Sequence, residues 1–165
     1  MNTQAMIAYL PVDGSWCKQD LPHMTLVYAG ETANLQASDF NAMAKDALSA
    51  ARITGSFSLA VTGVEEFGED ADAVDVLTFH PTPQLLVARQ TVEKWNASQF
   101  KDYKPHGTIG PAGSAISMMP ATSRLTEVAY GDSISKSWLP LNVYFNKICV
   151  AWNDDKLIFN LNEVY

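Results

Sequence analysis

Residues 22–26 of this chain read Pro-His-Met-Thr-Leu, and residues 105–109 read Pro-His-Gly-Thr-Ile. The histidines lie 83 positions apart (from 23 to 106) in a chain of 165 residues, so the pattern recurs at about half the chain length. The first copy lies in an apolar run over 21–29 closed by Gly30. The second opens a short run closed by Gly110 and Pro111. Both carry the marks of strands ended by turns. Along a strand, side chains i and i+2 leave on the same side. His23 therefore shares a face with Thr25, and His106 with Thr108. One such strand in each half predicts two similar lobes that face each other.

The rest of the chain supplies elements for such lobes. Met6–Leu10 reads as a strand stopped by "PVDG". Residues 37–51 read as a helix capped by Ser38 or Asp39, with Phe40, Met43, Ala44, Ala47 and Leu48 on one stripe. Residues 55–68 alternate as a strand, and 73–80 pair back on it. Residues 81–100 read as a second helix that buries Leu85, Leu86, Val92 and Trp95. Residues 112–135 read as loop with one short element at most, and 141–161 as a hairpin turning at "NDD". Strands outnumber helices and several adjoin through tight turns. The expected class is α+β, mainly antiparallel sheet with helices on the outside, and one domain over residues 1–165.

Charge and composition narrow the partners. The formal net charge is −7 and no basic block stands out. A binder of long nucleic acid needs a basic footprint, so a small substrate is expected. No apolar run reaches membrane-spanning length and no signal peptide is legible. Cys17 and Cys149 match no metal spacing and read as two unpaired thiols of a cytoplasmic protein. Neither a metal site nor a cofactor motif is expected. His80, before Pro81, reads as a strand-end residue, and the acidic run from Glu65 to Asp72 as a solvated loop.

Two histidines and two hydroxyls have a direct chemical use. Cleaving a phosphodiester needs a base for the attacking oxygen and an acid for the leaving oxygen. Imidazole, with an ordinary pKa of ~6.5, serves as either near neutral pH. Thr25 and Thr108 can donate to the non-bridging oxygens of the transition state. No metal is required.

These motifs resemble the signature of the two-histidine (2H) phosphoesterase superfamily, two H-x-[ST]-aliphatic strands, here His23-Met24-Thr25-Leu26 and His106-Gly107-Thr108-Ile109. The resemblance implies a pseudo-symmetric two-lobed fold with both motifs facing a central cleft. It implies metal-independent phosphodiesterase activity with His23, Thr25, His106 and Thr108 as catalytic residues. Its members include 2′-5′ RNA ligase-like proteins, cyclic nucleotide phosphodiesterases and phage enzymes that destroy cyclic oligonucleotide signals. A compact acidic chain leans towards the last group, and the host cytosol would then be its location. The alternatives are a sequestering protein that binds nucleotides or RNA ends without turnover, and an RNA ligase-like processing enzyme. Many members place an Arg shortly after the second motif, where this chain has Gly110 and Pro111. Gly107 replaces a larger residue and is expected to let a backbone approach closely. Tyr9, Trp138 and Trp152 are the candidate base-stacking aromatics; Lys18, Lys101 and Lys104 are candidate sources of positive charge that otherwise read as solvated surface lysines, and Lys104 is taken as substrate-binding.

Overall fold

The computed structural model describes residues 2–99, 102–115 and 139–163. The chain runs β1 (Gln4–Pro11), β2 (Met24–Glu31), α1 (Ala37–Thr54), β3 (Phe57–Phe67), β4 (Val74–Phe79), α2 (Pro83–Thr91), β5 (His106–Pro111), β6 (Asn142–Trp152) and β7 (Asp155–Asn160). Most of the expected 112–135 loop lies outside the described residues.

The strands form one sheet in the order β1-β2-β5-β4-β3-β6-β7, and β1 also pairs with β6, so six strands close on themselves. Every pairing among the described strands is antiparallel. The ring consists of two half-sheets that share β6. Residues 142–145 of β6 pair with β3, whereas 147–152 lie between β1 and β7. The halves meet again at β2 and β5, the two motif strands, through the single pair Met24↔Gly107.

Strand parity decides what faces the core. Met24 and Leu26 on β2, and Ile109 on β5, join the main apolar cluster with Met43 and Ala47 of α1 and Leu85 and Ala88 of α2. Both helices thus lie over the sheet face opposite the histidines. In α1 the Asp39 carboxylate accepts from the Gln36 N–H at 2.8 Å, so the cap is Gln36 and not the expected Ser38 or Asp39. The helix extends to Thr54 and ends on Gly55, which has a φ of +56°.

α2 is shorter than the expected 81–100. Thr82 caps it by accepting from the Leu85 N–H, and Pro83 occupies the first turn. At its end the Thr91 hydroxyl bonds back to the Ala88 carbonyl at 2.7 Å, a side-chain competitor for the backbone. Glu93–Trp95 continues as a single 3₁₀ turn, and the Trp95 indole donates to Asp46 at 2.7 Å. Leu85, Ala88 and Val92 take the buried stripe, while Leu86, expected inside, is 41% exposed.

Candidate active site

The β2–β5 register brings the two motifs together. Met24 and Gly107 are directly opposed in an antiparallel pair, and opposed residues project to the same side. Continued one step either way, this register would set His23 across from Thr108 and Thr25 across from His106. By strand alternation the histidine and threonine of each motif leave on the side opposite Met24. All four are half-buried, whereas Met24 points into the core.

Each histidine is held in the same way. His23 Nδ1 meets the Leu21 carbonyl at 2.7 Å, and His106 Nδ1 meets the Lys104 carbonyl at 2.7 Å. The intervening residue is proline in both cases. Proline has no N–H and forces the residue before it into extended backbone, which leaves that residue's carbonyl for the ring two positions on. A carbonyl fixes a proton on Nδ1, so Nε2 of each neutral imidazole is the basic nitrogen left for substrate.

The surroundings of His106 differ from those of its twin. The Phe67 ring meets it edge-on, with centroids 4.8 Å apart. Burial holds its pKa below the ordinary 6.5. The charge of His23 pushes the same way, while the Lys104 carbonyl and the Glu65 carboxylate oppose.

Three groups of contacts brace the motif strands. Tyr103, three positions before His106, donates its buried hydroxyl to the Thr25 carbonyl at 2.9 Å, tying the approach to one motif onto the other. Burial pushes its phenol pKa upward, so it stays a donor. Arg89 stacks over its ring, 5.3 Å from the centroid, and pairs with Glu93. Residues 16–18 fold over β5: the Lys18 N–H donates to the Ile109 carbonyl at 2.8 Å, the Cys17 thiol lies 3.2 Å from the Thr108 carbonyl, and the Trp16 indole occupies the space a side chain at Gly107 would need. Behind β5, Asp75 accepts from the Gly113 and Ala115 N–H groups, each at 3.0 Å.

Two of the expected stacking residues are corrected. Tyr9 is fully buried, edge-on to Phe57, with its hydroxyl on Thr54 at 3.2 Å. It shares the core face with Ile7, and no base can reach it. Trp152 packs against Phe40 of α1 on the helix face, centroids 5.5 Å apart, away from the histidines. Trp138 and Lys101 lie outside the described residues. Lys104 is exposed and lines a cavity next to His106. The acidic run is not wholly a loop: Glu65 and Glu66 belong to β3, and Glu65 lines the same cavity. The close approach at Gly107 is made by the Trp16 side chain and not, as expected, by a backbone. Among the described residues no three potential ligands cluster around a metal position, and no helix is long and apolar enough to cross a membrane.

A mostly antiparallel sheet with two helices, carrying two H-x-T strands, is the two-histidine phosphoesterase fold. The chain belongs to the 2′-5′ RNA ligase superfamily, whose family model matches residues 16–157; enzymes of this superfamily are phosphodiesterases. Solved structures similar in fold include Usb1 of Kluyveromyces marxianus with uridine monophosphate (TM-score 0.60, 10% identity, 96% of this chain and 98% of that one). Others are TT0787 of Thermus thermophilus (TM-score 0.56, 14%, 98% and 100%) and E. coli LigT with NADP+ (TM-score 0.54, 13%, 96% and 94%). No curated protein matches the chain by sequence.

Proposed function

We propose that the chain is a metal-independent phosphodiesterase acting on a small nucleotide, either a 2′,3′-cyclic phosphate or a cyclic di- or trinucleotide. The observation that carries this is the pairing of the two motif strands at Met24 and Gly107, with both histidine Nδ1 atoms occupied alike. His106, whose burial favours the neutral ring, takes the proton from the attacking oxygen, a water or a ribose 2′-hydroxyl. That oxygen bonds to phosphorus. The Thr25 and Thr108 hydroxyls donate to the oxygens on which charge builds. His23 gives its proton to the leaving oxygen as the old P–O bond breaks. The pair ends with protonation states exchanged, and solvent resets it. Each such proton transfer is worth about 10²–10⁴-fold.

A small substrate suits the net charge of −7. The nucleotides bound to relatives, uridine monophosphate on Usb1 and 3′-AMP on LigT, support the same size class. The test is a panel of 2′,3′-cyclic phosphates and cyclic di- and trinucleotides incubated in EDTA, with products weighed by mass spectrometry. Turnover is expected in chelator and is expected to vanish in His23→Ala and His106→Ala, with folding retained. Undiminished turnover in either variant, or loss in EDTA with rescue by a divalent metal, overturns the mechanism. Tight binding with no cleavage would make the chain a sequestering protein instead.

A further inference from the structure

A cavity of about 580 Å³ opens beside His106, walled by β3, β4 and residues 103–105. Part of its lining is bare backbone. Gly63 lies directly opposite Thr78, and a Cβ built on it would meet nothing within 4 Å. Thr78 in turn lies opposite His106, so this part starts one strand spacing, ~5 Å, from the catalytic row. Phe79, Pro81 and Pro105 give apolar walls. The Thr62 and Thr78 hydroxyls bond to each other at 2.6 Å, and Thr78 also reaches the Gly63 carbonyl at 3.2 Å. Two charged side chains remain on the lining, the Glu65 carboxylate and the Lys104 ammonium. Both are exposed, and neither is ion-paired within the described residues.

A second phosphate fits this cavity poorly, because Glu65 would repel it. A flat heterocycle fits well. It would lie on the bare peptide against the apolar walls, with its polar edge turned to the two charges. Guanine alone among the common bases presents two adjacent N–H donors, N1 and N2, for both oxygens of a carboxylate, beside a carbonyl, O6, for an ammonium. Adenine and cytosine set a ring acceptor beside their amino group, which would oppose the second carboxylate oxygen. Uracil offers one N–H flanked by two carbonyls.

We propose that this cavity is the base pocket of the substrate and that Glu65 and Lys104 make it selective for guanine. This rests on the nucleotide phosphodiesterase reading, and the experiment separates the two. The affinities of 3′-GMP, 3′-AMP, 3′-CMP and 3′-UMP are measured by calorimetry on the wild-type chain, Glu65→Gln and Lys104→Ala. In parallel, the turnover of the four 2′,3′-cyclic mononucleotides is followed. Guanine is expected to lead by about tenfold or more, the discrimination typical of a good two-point base contact. Glu65→Gln is expected to bring the four bases within about threefold, and Lys104→Ala to narrow the gap between guanine and the rest. Any influence of Glu65 on His106 acts on all four substrates alike and cancels in the ratios between bases. Equal affinities on the wild-type chain, or a guanine preference that survives Glu65→Gln, would overturn the pocket. Turnover without base preference leaves the phosphodiesterase standing and removes the pocket. Guanine-selective binding with no turnover does the reverse.

Discussion

Adding one methyl group at Gly107 tests how the two motifs are held together. A Cβ there would lie 2.4 Å from Cη2 of Trp16, 2.8 Å from Cζ3, and 3.3 Å from the His23 carbonyl oxygen. Carbon atoms rest about 3.5–4.0 Å apart, so the indole or β5 must yield by roughly 1 Å. The indole has little room, being 5% exposed and edge-on to Phe79 with centroids 6.4 Å apart. Overpacking of this kind costs about 1–3 kcal/mol, which for a chain of this size lowers Tm by about 2–12 °C. The strain falls on the only pair that joins β2 to β5, so Gly107→Ala is expected to part the histidine strands as well. A misplacement of ~1 Å between reacting groups costs up to about 10²-fold in rate. Thermal melts and kcat/KM on whichever cyclic phosphate is turned over give both numbers. Trp16→Leu supplies the control. The indole Nε1 has no hydrogen-bond partner among the described residues, so its removal breaks no bond, and in the Gly107→Ala background it is expected to restore part of both losses. If Gly107→Ala melts within ~1 °C of wild type with unchanged kcat/KM, or if the two substitutions simply add, the junction is not built as described.

Other outcomes follow from the same geometry. The acid limb of kcat/KM, set by the base that must be neutral, is expected to have its midpoint below the ordinary histidine value of 6.5; Phe67→Ala, which exposes the ring, is expected to raise that midpoint. Tyr103→Phe removes the hydrogen bond to the Thr25 carbonyl and is expected to cost about 0.5–1.5 kcal/mol in urea unfolding, with kcat falling more than KM rises. Asp75→Ala orphans two N–H groups behind the second motif and is expected to cost about 2–3 kcal/mol by the same measure. Unlabelled RNA of tens of nucleotides, added in excess at moderate salt, is expected to inhibit turnover of a small substrate weakly; strong inhibition with steep salt dependence would reveal a basic groove.

The motif strands were legible because their alternation has only one solution: His and Thr on one side, Met24 or Gly107 between them on the other. The register between those strands was not legible, since it depends on Trp16 filling the space above Gly107, a contact between residues 91 positions apart. β1 reads Met-Ile-Ala-Tyr-Leu, apolar on both faces, so nothing in it says whether Tyr9 looks towards the site or the helices. The same ambiguity hid the orientation of Trp152. Glu65 and Glu66 fall in two overlapping readings, the end of the 55–68 strand and the start of the acidic loop; the structure keeps both in the strand, exposed. The second helix was overextended because its apolar spacing runs on through Val92 and Trp95, while the back-bonding of Thr91 leaves no mark in that spacing.

β6 belongs to both half-sheets, and this ties assembly of the site to the order in which the chain can fold. Neither half is closed until residues 142–152 are in place, although both histidines lie far upstream. The ring therefore depends on contacts of very long sequence separation, which favours slow, all-or-none formation. A chain cut before Asn142 would not retain one working lobe. It would lose the strand that aligns both, leaving two motifs with correct local chemistry and no common frame.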